Sequence, residues 1–357
     1  MKKLFLIVLS ILIFSCNDPV FYAISTEELP LKPRIAGPST NFIELRGKLY
    51  VAAKKRVYCY ENGVWIEFPV DGRITHLAAT TNKLYALMEN QIILFSEEIT
   101  KETVIPLEDQ NIQGIYASEE ILFIGTSNSE IYYLNEGDTI PLPIAGEFSM
   151  LCGVASDADN YYLCCKDNAG IFLVSKDDPG TAALITGSED KEFTNIINLN
   201  TDSIAAMSRG GILFSVTPNG VIDEKRFGDN RRATSALGIF TSGTWTDGVW
   251  IKGENNLLLV GRQDLTNSTT TGYTHGYVEI EFNAEGKIIG EGFSEPGKIG
   301  FSSMSENTNE HYASSIGKRG INYFYQAPDG ILFASLNHGV WSYRERSTGK
   351  FTWNAEE

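Results

Sequence analysis

A short apolar run that returns at similar intervals is the feature of this sequence that most restricts its fold. Its second position carries a large apolar residue in every copy: Tyr50, Tyr85, Phe123, Tyr162, Ile204, Leu259 and Phe333. Successive copies are 35, 38, 39, 42, 55 and 74 residues apart. An internal period of about 40 residues is typical of a β-propeller, in which each repeat forms one four-stranded blade.

A second apolar run follows each copy, as residues 57–60 follow 49–52 and residues 340–343 follow 332–335. Both runs are apolar at consecutive positions, which favours strands that are covered on both faces. Beyond Ser39 no window of a dozen residues has the apolar spacing of an amphipathic helix. The sequence therefore predicts an all-β fold, a seven-bladed β-propeller over residues 39–357, with six or eight blades as alternatives.

Composition limits the function as well as the fold. The chain has 357 residues, of which 43% are hydrophobic, so it can bury a sizeable core. It carries 45 acidic and 29 basic residues, a formal net charge of -16. Because such a charge repels a phosphate backbone, we expect no nucleic-acid partner.

The first residues have the pattern of an export signal. Lys2 and Lys3 precede an apolar stretch over residues 4–14, which is too short to span a bilayer as a helix. The stretch ends in Ile13, Phe14, Ser15 and Cys16 and resembles the lipobox of bacterial lipoproteins. That resemblance implies a signal peptide over residues 1–15 that is cleaved ahead of Cys16, and lipidation of Cys16 by a diacylglyceryl thioether and an N-acyl chain.

The resemblance gives an expected location in the cell envelope, with the protein anchored by its acyl chains to the inner or outer membrane and its body in the periplasm or at the cell surface. Residues 16–38 contain four prolines and predict an extended tether to the domain. The alternative is an ordinary signal peptide with a cysteine nearby.

The last repeat gives a second resemblance. Asp329 and Gly330 precede the run 331–335, Gly339 opens the run 340–343, and Gly349 precedes an aromatic finish at Trp353. This order resembles the two-component-regulator type of propeller repeat. The resemblance implies the fold but little about function, because such repeats occur in sensors, lyases and binding proteins.

Three insertions in the later repeats are the candidate recognition surface. Residues 228–248, 263–275 and 294–320 would all rise on one face if residues 249–252 form the innermost strand of the sixth blade; if that stretch is a second strand, 263–275 moves to the opposite face. Long loops on a rigid scaffold are where binding usually resides. The candidate ligand-binding residues are the cations and aromatic side chains of these loops: Arg231, Arg232, Trp245, Tyr273, His275, His311, Tyr312 and Arg319.

No motif in the sequence indicates catalysis. The four histidines are far apart, with no metal-binding spacing, so we expect neither a metal nor a cofactor. The sequence therefore favours a module that recognises a glycan, a peptide or a protein. A carbohydrate hydrolase or lyase is the enzyme alternative and would show paired carboxylates or a Tyr/His/Arg cluster in one pocket; a subunit of an envelope assembly is a third.

The cysteines beyond Cys16 permit one disulfide. If residues 150–154 and 161–165 are paired strands around a turn centred on Ala158, Cys152 faces Cys164 and a cross-strand bridge can form. The alternative is that Cys59, Cys152, Cys164 and Cys165 are small buried hydrophobic residues.

Overall fold

The structure is a computed structural model that describes part of the chain. The described residues are 34–96, 99–105, 111–135, 138–144, 150–199, 204–208, 212–226, 244–250, 257–263, 277–282, 288–290, 321–345 and 351–356. All regular elements in these ranges are β-strands, which confirms the all-β prediction. Within the same ranges no helix is long and apolar enough to cross a bilayer.

The strands pair in chain order into seven antiparallel sheets of four strands each. The innermost strands are β1 (Ile43–Leu45), β5 (Ile74–Ala79), β9 (Ile112–Ser118), β13 (Leu151–Ser156), β17 (Phe193–Asn198), β21 (Thr244–Trp250) and β25 (Ile321–Gln326). The second strands are β2 (Lys48–Ala53), β6 (Leu84–Met88), β10 (Ile121–Thr126), β14 (Asn160–Cys165), β18 (Ile204–Ser208), β22 (Leu257–Gln263) and β26 (Leu332–Leu336). The third strands are β3 (Arg56–Glu61), β7 (Gln91–Phe95), β11 (Ile131–Asn135), β15 (Gly170–Ser175), β19 (Ile212–Thr217), β23 (Tyr277–Phe282) and β27 (Gly339–Glu345). The outer strands are β4 (Val64–Pro69), β8 (Lys101–Ile105), β12 (Asp138–Leu142), β16 (Ala183–Leu184), β20 (Gly220–Arg226), β24 (Ile288–Gly290) and β28 (Phe351–Ala355).

The repeated large residues build the layers between neighbouring sheets. Tyr50 packs into the layer between the first and second sheets, and Tyr85 into the layer between the second and third. Phe123 and Tyr162 do the same for the next two layers. Because successive side chains of a strand point to opposite faces, the second strand contributes to two layers at once. This explains why its residues are apolar without alternation.

The last sheet packs against the first in the same manner. The ring of Phe333 lies 4.9 Å from that of Tyr60 and 5.4 Å from that of Trp65, measured between centroids. Phe333 is fully buried in a layer with residues of β2 and β3. The kind of layer that the described residues form between consecutive sheets from the first to the fifth is therefore also formed by the last sheet with the first.

Residues 34–37, which were expected to belong to the tether, make backbone contacts with the last sheet. The Arg34 N–H donates to the Glu356 carbonyl at 2.6 Å, and the Val340 N–H donates to the Ile35 carbonyl at 3.2 Å. Ile35 is fully buried. The prolines suggested an extended segment, and the segment satisfies its backbone groups on the last sheet rather than in water.

A buried carboxylate also joins the two ends of the chain. Glu356 follows β28 and is 2% exposed. Its carboxylate accepts hydrogen bonds from Trp65 Nε1 of the first sheet at 2.9 Å, from Arg344 Nη2 at 2.5 Å and from Ser342 Oγ, both of β27. Three donors from two sheets thus hold one buried charge.

The sixth sheet resolves the ambiguity over residues 249–252. Val249 lies in β21, which pairs with β22 through Val249 and Leu259, and β21 is the innermost strand of the sheet. The alternative that this stretch is a second strand is wrong. The connections 227–243, 264–276 and 291–320 lie outside the described residues, and the strand ends they join all lie at the end of the sheets where the innermost strands begin.

Candidate functional site

The innermost strands surround a central cavity of about 550 Å³. Six sheets contribute described side chains to its wall, among them Asn41, His76, Tyr116, Cys152, Asn195 and Tyr323. Most of these residues lie near the beginning of their strands, and Met150 and Lys166 add to the wall at the same end. The cavity is therefore set toward the end of the sheets that also receives the three long connections.

A repeated β-bulge forms the wall. In six sheets the innermost strand holds one extra residue, so its register with the second strand is shifted. In five of them a single residue of the innermost strand is skipped. The skipped residues are Thr75, Gln113, Cys152, Thr194 and Asn322. A bulge bends the strand and changes the direction of the following side chains. His76, Asn195 and Tyr323 each follow a bulge directly and line the cavity.

The bulge at Cys152 corrects the predicted pairing of Cys152 with Cys164. Cys164 pairs with Gly153 rather than with Cys152, and the two cysteines are free thiols with sulfur atoms 3.4 Å apart. The Cys152 thiol donates a hydrogen bond to the Cys164 carbonyl oxygen at 3.2 Å. At the equivalent bulges Thr75 and Thr194 donate to the carbonyls of second-strand residues. Cys152 therefore occupies the position of a bulge hydroxyl, and Cys59, Cys164 and Cys165 are buried, as the alternative reading expected.

Side-chain amides fix neighbouring innermost strands to one another. Asn41 donates to the Leu77 carbonyl at 2.7 Å and accepts from the Leu77 N–H at 3.0 Å. Asn198 makes the same two bonds to Ser156, at 2.7 and 3.0 Å. Since innermost strands of different sheets do not pair through their backbones, these amides replace strand pairing and hold the wall in place.

Three titratable groups of the cavity, His76, Tyr116 and Lys166, lie on consecutive sheets. Burial, and then the charge of Lys166, lower the pKa of His76 below its usual range, so the imidazole is neutral at pH 7. Its Nδ1 is buried and has no hydrogen-bond partner. The ring of Tyr116 lies 6.1 Å from the His76 ring. A neutral imidazole, a phenol and an ammonium group thus share one wall.

Lys166 is the cation of this cavity. It directly follows β14, and its N–H donates to the Met150 carbonyl at 2.9 Å, which places it beside the start of β13. Among the described residues no carboxylate lies within salt-bridge distance of Lys166. None of the described residues that line the cavity is an aspartate or a glutamate.

A second cavity of about 440 Å³ lies at the other end of the strands, between the first and second sheets. The turns after β1, β5 and β7 line it, with Arg46, Asn82 and Lys83 at its edge. Residues of this second cavity can be substituted as controls for substitutions in the central cavity.

The candidate residues predicted from the sequence lie almost wholly outside the described ranges. This holds for Cys16, Arg231, Arg232, Tyr273, His275, His311, Tyr312 and Arg319. The backbone of Trp245 lies in β21, near the start of an innermost strand, where it pairs with Arg262. Sequence reasoning missed His76, Tyr116 and Lys166. Their only signal is position, since the starts of all innermost strands converge in a propeller.

Comparison with known proteins shows the fold. YCF48 from Cyanidioschyzon merolae is 11% identical with a TM-score of 0.56, over 89% of this chain and 96% of that chain. Virginiamycin B lyase from Staphylococcus aureus is 14% identical with a TM-score of 0.54, over 87% of this chain and 96% of that chain. The WD40 β-propeller domain of Doa1 is 8% identical with a TM-score of 0.56, over 88% of this chain and 96% of that chain.

YCF48 has also been solved bound to D1 peptide. No protein-family model matches this chain, and no curated protein does. At these identities the likeness shows architecture rather than activity. The chain is a β-propeller, as the repeat predicted.

Proposed function

We propose that this protein is a recognition module that binds a peptide segment of a protein partner in the central cavity. The observation that carries the proposal is the cavity itself, which bulged innermost strands form and which amide contacts keep in shape. A preformed concave site with a few polar groups is what a short ligand requires. The likeness to a propeller solved with a bound peptide supports the same reading.

The ring on which this site depends has seven blades in our proposal. Each four-stranded sheet is one blade, and the packing of Phe333 against Tyr60 and Trp65 closes the circle. Among the strands that the structure describes, none from one end of the chain joins the sheet at the other end, so closure depends on the buried layer, on residues 34–36 and on Glu356.

We also propose that Cys16 anchors the protein in a bacterial envelope membrane. The support is the residue pattern before Cys16, and two or more acyl chains give stable membrane attachment. Cells fed an alkynyl fatty acid are expected to label the wild type and not Cys16→Ala. Labelling that persists in Cys16→Ala would remove the anchor.

Filling the cavity is expected to abolish binding. Ile197 lines the cavity and is half-buried, so Ile197→Trp adds volume there without removing a core side chain. Peptides selected on the wild type from a random displayed library are expected to lose affinity by about tenfold or more, because a filled pocket excludes its ligand. Fluorescence anisotropy with labelled peptides measures the effect.

Ile66→Trp is the matched control, because Ile66 is 43% exposed on the outer strand β4, away from the cavity. Its affinity is expected to equal that of the wild type. If Ile197→Trp binds the selected peptides as tightly as Ile66→Trp does, the ligand lies elsewhere and the proposal fails.

A lyase is the second candidate, and one observation favours it. His76, Tyr116 and Lys166 line one cavity, which provides a neutral base, a proton donor and a cation. Incubation with uronate-containing polysaccharides would show an unsaturated, ultraviolet-absorbing product if elimination occurs. A product formed by the wild type and lost in His76→Ala would favour this candidate over recognition.

A further inference from the structure

We propose that the ligand of the central cavity is a peptide that carries a carboxylate, and that the Lys166 ammonium group receives this carboxylate. The inference rests on the proposed function and makes it more specific, because it names the chemistry of the ligand and the residue that selects it.

The acidic residues of the chain are absent from the described wall of the cavity. Acidic residues make up 45 of the 357 residues of the chain, but none of the 21 described residues around the cavity is acidic. The field of an acidic protein repels an anion at a distance, so only a local cation without a competing carboxylate can hold one. Within the described part of the wall, Lys166 has this property.

Lys166 is held at the start of β13 by a backbone hydrogen bond. The bond from its N–H to Met150 ties the end of β14 to the start of β13. Lys166 is half-buried, and its charge acts on both His76 and Cys164. Lys166 also lines the central cavity, so its charge is available to a ligand there. A lysine that is partly shielded from water and ions attracts a carboxylate more strongly than an exposed one.

The wall of the cavity also has apolar surface that can contact the rest of a ligand. Phe42, Leu77, Ile196 and Phe324 add apolar surface to the wall, while His76 and Tyr116 add neutral polar groups. A cavity of about 550 Å³ is in the range of sites for small organic ligands, so it admits a few amino-acid residues. Apolar surface next to one cation fits a peptide with a carboxylate better than it fits an inorganic anion, which has no carbon skeleton to bury.

The experiment compares matched peptides on matched variants. Each selected peptide is made in its acidic form and in a neutral form, with Asp and Glu changed to Asn and Gln and with an amidated C-terminus. We expect Lys166→Met to weaken the acidic form by about tenfold or more, the scale for losing a charge-assisted bond, and to leave the neutral form unchanged. Lys166→Arg keeps the charge and is expected to retain most of the affinity.

Lys83→Met removes a cation at the other end of the strands and is expected to have no effect. Added salt is expected to weaken the acidic peptide on the wild type and not on Lys166→Met. The inference is overturned, and the proposed function stands, if Lys166→Met leaves the acidic form unaffected while Ile197→Trp still blocks it. Both fail if Ile197→Trp is also without effect. A uronate oligosaccharide that binds through Lys166 when no peptide does would overturn the choice of a peptide.

Discussion

Replacing Glu356 by alanine is expected to destabilise the protein by about 3 to 5 kcal/mol, the usual cost of removing one partner of a buried ionic contact. The change removes the carboxylate that pairs with the half-buried Arg344, and it removes the acceptor of the buried Trp65 Nε1 and one bond of Ser342 Oγ. These groups belong to the first and last sheets, so the loss falls on the closure of the ring. Urea unfolding followed by tryptophan fluorescence measures the change.

Glu67→Ala is the matched control for Glu356→Ala. Glu67 forms a salt bridge with Arg56 on the surface, where the Arg56 side chain is 49% exposed and the Glu67 side chain 35%. Exposed pairs of this kind contribute between about 0 and 1 kcal/mol, so the control is expected to unfold near the wild-type midpoint. Equal stability of the two variants would show that Glu356 does not hold the sheets together.

Gly153→Ala is expected to destabilise the protein by about 1 to 3 kcal/mol, the range for overpacking a well-packed core. A Cβ at this position would lie 2.5 Å from Asn195 Oδ1 and 3.0 Å from the Ile196 backbone nitrogen. Both atoms belong to β17, the innermost strand of the next sheet. The Asn195 side chain can turn away, but the Ile196 backbone must move by a few tenths of an ångström, which loosens the contact between the fourth and fifth sheets. Thermal and urea unfolding measure the effect.

Gly180→Ala is the control for Gly153→Ala. The nearest atom to a Cβ at Gly180 is Asp178 Oδ1 at 3.4 Å, and Gly180 lies outside the strands. Its stability is expected to change by less than about 0.5 kcal/mol, as for ordinary surface substitutions. A Gly153→Ala protein that unfolds like Gly180→Ala would mean that the two innermost strands are not in close contact.

The layers between sheets could be predicted from the sequence because their signal is periodic. Tyr50, Tyr85, Phe123 and Tyr162 return at the length of one repeat, and the structure places each in a layer between sheets. The repeat length and the strand content both depend on the order of residue types along the chain, which can be read from one sequence. The fold class followed from them.

The wall of the cavity could not be predicted in the same way. A bulge adds one residue to one strand, and no residue type marks it, since Thr75, Gln113 and Cys152 all occupy such a position. The unshifted register predicted that Cys152 faces Cys164, and the one-residue bulge makes Gly153 the partner of Cys164 instead. His76 and Lys166 are 90 positions apart and meet only because the ring brings the second and fourth sheets to one centre.

The most direct test of the central claim is the position of the bound peptide. A photoreactive benzoylphenylalanine placed at Ile197, inside the central cavity, is expected to cross-link a selected peptide on irradiation. The same residue placed at Asn82, beside the cavity at the other end of the strands, is expected to give no cross-link. Excess unlabelled peptide should abolish the adduct at Ile197. Cross-linking at Asn82 with none at Ile197 would contradict the account and place recognition at the opposite end of the propeller.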